Sequence, residues 1–100
     1  MNEGASQVTW QNIGAAARQL SQTDPFASLT LYKTAVAECK KLEGPNSEKL
    51  AILFSELAAV CVSVERHDEC KSYQAKAEQI RTFNKQYTMR HNGEQVVVIW

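Results

Sequence analysis

The chain has no excess of charge of either sign: 11 basic and 11 acidic residues among 100 give a formal net charge of zero. Generic phosphate binding needs a clustered excess of lysine and arginine, so the overall charge argues against nucleic-acid binding. The sequence also lacks G-x-G-x-x-G and P-loop patterns, and nothing in it indicates a nucleotide site. No cofactor is therefore expected.

Cysteine is sparse as well, and Cys39, Cys61 and Cys70 form no C-x-x-C pair. An odd number does not suit the disulfide framework of a secreted protein, so we expect free thiols in a reducing compartment, the cytoplasm. The half-motif His67-x-x-Cys70 falls short of the roughly four ligands that zinc needs, and no metal site is predicted. A Cys–His nucleophilic pair lacks a third partner and an oxyanion-hole loop, so we expect no enzyme.

No apolar run is long enough to span a bilayer. The most apolar stretch, residues 51–64, is interrupted by Ser55, Glu56 and Ser63. It is shorter than the roughly 20 apolar residues that a membrane helix needs. The N-terminus is polar and shows no signal peptide. We expect no membrane partner.

Four segments have the apolar periodicity of helices, with apolar side chains at spacings of three and four residues. They cover about residues 8–22, 25–43, 47–66 and 68–88. The third segment is apolar on nearly all sides, which is typical of a helix between neighbours. Because the connections are short, consecutive helices are expected to be antiparallel neighbours. The predicted fold is all-α, a short array of about four helices stacked as antiparallel hairpins.

The few glycines and prolines fall near the ends of these helices. Asp24 is the predicted N-cap of the second helix, with a proline at its first position. Gly44 is predicted to end that helix in a left-handed conformation. Asn46 or Ser47 is then predicted to cap the third helix, and Asp68 the fourth.

The chain divides into a flexible N-terminus (1–7), a helical domain (8–91) and a short apolar C-terminal tail (92–100). The apolar residues 96–100 suit a strand better than a helix. A hairpin across Asn92-Gly93 competes with continuation of the fourth helix to about residue 90, and the helix is the preferred prediction. The tail is expected to pack on the fold, pair with another chain or begin a further element.

The first pair of helices and the second pair share a pattern of bulky and small residues, about 41 residues apart. The matching positions are Ile13, Ala16, Ala17 and Leu20 with Phe54, Leu57, Ala58 and Cys61, then Tyr32 and Ala35 with Tyr73 and Ala77. Small residues at Ala17 and Ala58 let the paired helix approach. Over about residues 10–82 this pattern resembles the tetratricopeptide repeat. Its period exceeds the usual length of about 34 and is similar to the longer repeats of kinesin light chains.

The resemblance implies a concave surface, formed by the first helix of each repeat, that binds a peptide or helix of a partner protein. By position, this surface comprises Gln11, Gly14, Arg18, Ile52, Ser55, Ala59, Val62 and Ser63, and we add Val98 and Trp100 of the tail as candidate contacts. The carboxylate clamp of part of the family is absent, because Gly14, Arg18 and Glu56 stand at its positions. The lead hypothesis is a non-catalytic scaffold or adaptor domain.

Two alternatives stay open. The first is a self-assembly module, a homodimer, because two repeats bury little core and such arrays usually need about three or more. The second is nucleic-acid binding by the basic C-terminal third. Residues 71–100 carry five bases against two acids, whereas residues 48–70 carry five acids against two bases. This asymmetry fits a solvated helix face, or a basic strip that meets an acidic partner.

The repeat pattern places Leu57 and Ala58 at the centre of the fold. Leu57→Ala should lower the free energy of unfolding by about 2–5 kcal/mol through the cavity it leaves. Ala58→Trp should cost about 1–3 kcal/mol or more, because it overpacks a helix crossing. Urea denaturation of both variants checks this, and the assigned repeat register would be wrong if both unfolded like the parent.

Overall fold

The computed structural model describes residues 9–92, with side chains as far as residue 86. These residues form four helices, α1 (Trp10–Leu20), α2 (Pro25–Glu43), α3 (Glu48–Ser63) and α4 (His67–Asn92). The prediction of an all-α fold of four helices is confirmed, with α2 at its predicted bounds. The N-terminal segment 1–7 and the tail residues 93–100 lie outside the described residues. In the described part of the chain, no helix combines the length and apolar character that a bilayer crossing requires.

Short polar side chains and one glycine set the ends of α2 and the start of α3. The Asp24 carboxylate accepts a hydrogen bond from the Ala27 N–H at 3.2 Å, which caps α2. Gly44 ends α2 with a φ of 96°, a value that residues with a side chain rarely adopt. The Ser47 hydroxyl accepts from the Lys49 N–H at 3.1 Å and caps α3. The predictions at Asp24, Gly44 and Ser47 are therefore confirmed.

The chain turns between α3 and α4 without a glycine or a proline. The Arg66 N–H donates to the Cys61 carbonyl at 2.8 Å, and the Glu65 N–H donates to the Val62 carbonyl at 3.0 Å. These two bonds form a Schellman motif, in which the first residue after the cap is left-handed and usually glycine. Here that residue is Glu65, with a φ of 61°. A glutamate thus holds a conformation that is strained for residues with a Cβ.

The prediction that Asp68 caps α4 is wrong. The helix begins at His67, and the Cys70 N–H donates to the Arg66 carbonyl at 3.0 Å. The helix that follows the Schellman motif begins one residue before its predicted first residue, 68. Asp68 therefore lies in the first turn, beside Glu69. Both carboxylates still interact favourably with the positive, N-terminal end of the helix dipole.

Each helix packs against the next one in the chain, so that α1–α2 and α3–α4 form two hairpins joined by contacts between α2 and α3. Small side chains at two pairs of equivalent positions are almost completely buried: Ala17 with Ala58, and Ala35 with Ala77. Leu57 is fully buried beside Ala58. Most positions of the repeat pattern are therefore buried, Ile13 and Tyr73 pack against the core while partly exposed, and Ala16 and Leu20 are half-buried.

A buried hydrogen bond closes the first hairpin. The Ser28 hydroxyl of α2 donates to the Ala17 carbonyl of α1 at 2.6 Å. Ala17 lies in the last turn of α1, where carbonyls have no partner within the helix. The next carbonyl, that of Arg18, accepts from the backbone N–H and the hydroxyl of Ser21. The last carbonyls of α1 thus accept hydrogen bonds partly from the turn that follows the helix and partly from α2.

The strained turn at Glu65 generates a stability prediction. Glu65→Gly should raise the free energy of unfolding by about 1 kcal/mol, because glycine adopts positive φ without the Cβ penalty. Glu65→Ala is the matched control, since it removes the same carboxylate and keeps the Cβ. Urea denaturation of the three proteins checks this. Equal stability of the glycine and alanine variants would contradict the assigned turn.

Candidate functional site

Two helices that are not consecutive in the chain, α1 and α3, come close at two places. A methyl group built on Gly14 of α1 would lie 3.4 Å from Cδ2 of Leu53 in α3. One helical turn further on, Arg18 contacts Glu56. The sequence interpretation placed Gly14 on the binding surface, and the structure corrects this: Gly14 is buried. A side chain larger than alanine at this position would meet Leu53.

Glu56 of α3 joins three helices. Its Oε1 accepts hydrogen bonds from Arg18 of α1, from Nη2 at 2.8 Å and from Nε at 3.2 Å. The same oxygen accepts from the Tyr32 hydroxyl of α2 at 2.9 Å. The side chains of Arg18 and Glu56 are 55% and 29% exposed, so the ion pair contributes modestly to stability, roughly 0.2–1 kcal/mol. Together with the Tyr32 hydrogen bond, it links α1, α2 and α3 through one carboxylate oxygen.

The environment of Tyr32 keeps its hydroxyl protonated. The residue is only 2% exposed. Burial, followed by the hydrogen bond and the negative charge of Glu56, raises the pKa of Tyr32 to about 12, while Arg18 opposes the shift. The hydrogen bond to Glu56 likewise raises the pKa of Arg18 above its usual value, against a smaller effect of burial. Near neutral pH the network is a neutral phenol, a guanidinium cation and the carboxylate between them.

A cleft of about 660 Å³ opens where the end of α1 and the start of α2 meet α3. Its two charged residues, Arg18 and Glu56, are bonded to each other. The other residues that line it are uncharged: Ser21, Gln22, Tyr32 and Ser63 are polar, and Pro25, Ala59 and Val60 are apolar. The cleft is therefore electrically neutral and has both polar and apolar walls.

Three of the predicted contact residues, Arg18, Ala59 and Ser63, line this cleft. Sequence reasoning missed Tyr32 and Glu56 as parts of the site. It assigned Tyr32 to the core of the repeat, and it used Glu56 only to argue that a carboxylate clamp is absent. No local pattern links a tyrosine on one helix to a glutamate 24 residues later, so their contact could be found only from the packed structure.

The remaining predicted residues extend the site along both helices. Ile52, Ser55 and Val62 share one side of α3 with Ala59, at spacings of three and four residues, and Ile52 and Val62 are 44% and 47% exposed. Gln11 is exposed on α1, two turns before Arg18. Val98 and Trp100 lie outside the described residues. The α1–α3 face is defined here by Gln11, Arg18, Ile52, Ser55, Ala59, Val62 and Ser63.

The positions of the cysteines favour neither nucleophilic attack nor metal binding. Cys39, Cys61 and Cys70 are all buried and free. Burial raises the pKa of the Cys39 and Cys61 thiols, and the negative charge of Glu69 adds to the effect at Cys61. A buried thiol with a raised pKa is a poor nucleophile and a poor metal ligand. Within the described residues, no group of histidine, cysteine and carboxylate side chains could hold a metal ion.

The basic residues of α4 are divided between two sides of the helix. At about 100° per residue, Lys71, Arg81 and Lys85 fall within about 80° of one another, and Lys76 lies on the opposite side from Lys85. Arg81 donates to the Glu48 carboxylate of α3 at 3.3 Å. The described part of the basic segment thus presents no single continuous strip of unpaired cations.

Comparison of the chain with protein-family models, with curated proteins and with solved structures finds no match. The α1–α3 face and the neutral cleft beside it are therefore the features on which a function can be proposed.

The network at Glu56 predicts how stability depends on pH. The folded pKa of Tyr32, about 12, exceeds the unfolded value of about 10. Its contribution is therefore complete below pH 10 and is lost as the pH rises through 12. Tyr32→Phe should cost about 1 kcal/mol at pH 8, because it removes one hydrogen bond while Glu56 keeps Arg18.

Urea denaturation at pH 8, 10 and 11.5 measures both effects. The parent should lose more stability than the Tyr32→Phe variant between pH 10 and 11.5. Tyr73, Cys39 and Cys61 also have raised pKa values, but they are present in both proteins and cancel in the comparison. Parallel pH profiles would show that Tyr32 does not carry the dependence.

Proposed function

We propose that this chain is a non-catalytic protein–protein interaction domain, a scaffold or adaptor that binds a segment of a partner protein on its α1–α3 face. The observation that carries the proposal is the exposed side of α3, where Ile52, Ser55, Ala59 and Val62 form an uncharged stripe beside the neutral cleft. Exposed apolar surface next to a concave polar site is typical of interfaces.

The stripe differs from the outward side of α4, although Phe26, Leu42 and Phe83 are also exposed elsewhere on the array. The outward side of α4 carries charged and amide side chains, among them Lys71, Gln74, Glu78 and Lys85, all of them exposed. Between Leu50 and Val64, by contrast, α3 has a single charged residue, and its carboxylate is bonded to Arg18 and Tyr32. A helix face that met only water would be expected to carry more charge.

The arrangement of the helices supports the same proposal. The first helix of each hairpin, α1 or α3, lies beside the other, and the four small positions of the repeat pattern are buried alike. We therefore also propose that the chain is a short array of the tetratricopeptide type, in its long-repeat form. In that type of array the first helices of successive repeats line the partner-binding surface, which here corresponds to the α1–α3 face.

A binding role fits the chemistry of the cleft better than catalysis does. Arg18 and Glu56 neutralise each other, and Tyr32 keeps its proton up to a pKa of about 12, so it is neither a base nor an effective acid near pH 7. The proposed location is the cytoplasm, because three unpaired cysteines suit a reducing compartment. The proposed partner is a protein, with a second copy of the chain as the alternative occupant.

Ala59→Arg tests the proposal. Ala59 is exposed at the middle of the stripe, so an arginine there should block a partner and change the free energy of unfolding by no more than about 0.5 kcal/mol. Ala75→Arg, at an exposed position of α4, is the matched control. Affinity purification from the native source with mass spectrometry should recover proteins that the Ala59 variant loses and the Ala75 variant retains.

Solution mass distinguishes the two kinds of occupant. A parent dimer that Ala59→Arg converts to a monomer would identify the partner as a second copy. Recovery of the same proteins with both arginine variants, together with equal solution masses, would show that the α1–α3 face is not the binding surface.

A further inference from the structure

A second and smaller pocket, the α2–α4 pocket, is lined by residues of α2, the following loop, α3 and α4. It lies on the other side of α3 from the exposed stripe. At about 100° per residue, its lining residues Leu50 and Phe54 lie roughly 180° and 140° from Ala59 around the helix. A ligand in this pocket would therefore not contact the α1–α3 face.

The α2–α4 pocket has an apolar inner wall and a basic rim. The wall consists of Leu50, Phe54 and Ile80, which are buried. The exposed residues of the rim are Lys40, Pro45, Asn46, Lys76 and Gln79. Among the described residues, none that lines the pocket is acidic. Two positive charges, from α2 and from α4, thus stand beside a buried apolar surface.

Both lysines of the rim lack a counterion. Neither forms an ion pair with another described residue. Side chains on a helix pair at spacings of three and four residues, and no acid stands at these spacings from Lys76. Glu43, three residues after Lys40, instead lies 4.0 Å from the ammonium group of Lys49. The charge of the rim is therefore available to a ligand.

The size and the charge of the pocket together indicate what it binds. Its volume of about 240 Å³ is below the roughly 300–1,000 Å³ typical of small-molecule and cofactor sites. That volume corresponds to about eight water molecules and suits one large side chain. Nucleic-acid binding usually involves more cations, roughly six to ten. An apolar side chain with carboxylates near it matches both the wall and the rim.

We propose that the α2–α4 pocket binds an acidic segment of a partner protein. One large apolar side chain of that segment lies against the buried wall, and aspartate or glutamate side chains pair with Lys40 and Lys76. Lysine suits this role, because its flexible stem lets the ammonium group follow a carboxylate without a fixed geometry. The inference goes beyond the proposed function and does not rest on it, since it concerns a different surface. With both sites, the chain would hold two proteins at once.

A display library of random 12-residue peptides, selected on the full chain, tests the inference. Counter-selection against the Lys40→Glu/Lys76→Glu double variant retains the peptides that need this pocket. These peptides should share a large apolar residue with acidic residues beside it. A synthetic peptide with serine at the apolar position should bind at least tenfold more weakly, because burial of a large apolar side chain contributes that much or more.

Reversing the charge of the rim should reverse the preference. The Lys40→Glu/Lys76→Glu variant should bind the selected peptide at least tenfold more weakly, because attraction becomes repulsion. It should bind more tightly when lysines replace the acids of the peptide. The lysines are exposed, so the helical signal in circular dichroism should match that of the parent.

The matched control is Lys71→Glu/Lys85→Glu, which makes the same change in net charge at exposed positions on the other side of α4 from Lys76. This variant should bind the selected peptide within about twofold of the parent, since dissolved salt screens distant charges. The Ala59→Arg variant should also bind like the parent. The two proposed surfaces are thereby tested separately.

Several outcomes would overturn the inference. One is that no peptide survives the counter-selection, or that the surviving peptides share no acidic residue. Equal loss of binding in both double variants would show that net charge alone attracts the peptides. Oligouridylate that binds more tightly than the peptides, and only when the rim lysines are present, would assign the pocket to nucleic acid. A parent dimer that the rim variant lacks would make the occupant a second copy.

Discussion

The helices of this chain approach one another at positions that have little or no side chain, and the α1–α3 face depends on that approach. Gly14 of α1 lies near Leu53 of α3, close enough that an added methyl group would just contact it, and Ala17 and Ala58 are buried. Side chains larger than alanine at these positions would push the backbones apart. Arg18 and Tyr32 could then no longer meet the same oxygen of Glu56.

Stability and recognition are supported by different residues of the same helices. The buried side of α3, with Leu50, Leu57 and Cys61, forms the centre of the core. Its opposite side carries the uncharged stripe, which contributes little to folding. Because of this division, Leu57 is tied to the stability of the core, whereas Ala59 is tied to the exposed face. The outward side of α4, which is polar, closes the array toward solvent.

Much of the fold could be predicted because its determinants are local. Asp24 and Gly44 act within one turn of the chain, so the bounds of α2 follow from the sequence, and the small buried positions follow from helical spacing. The start of α4 could not be predicted, because a glutamate at positive φ leaves no pattern in the sequence. Whether Gly14 faces solvent or α3 depends on how α1 rotates against its neighbours.

The exposed stripe on α3 could be predicted, but the contacts within the cleft beside it could not. The stripe on α3 follows from helical periodicity, but the Tyr32–Glu56 contact joins two helices that only tertiary packing brings together. The Arg18–Glu56 pair also has a mechanical consequence. It is partly exposed and bridges the two hairpins, so dissolved ions screen it, whereas the alanine contacts beneath are dry and unaffected. Dissolved salt therefore weakens the link between α1 and α3 at the cleft and leaves the buried contacts within each hairpin in place.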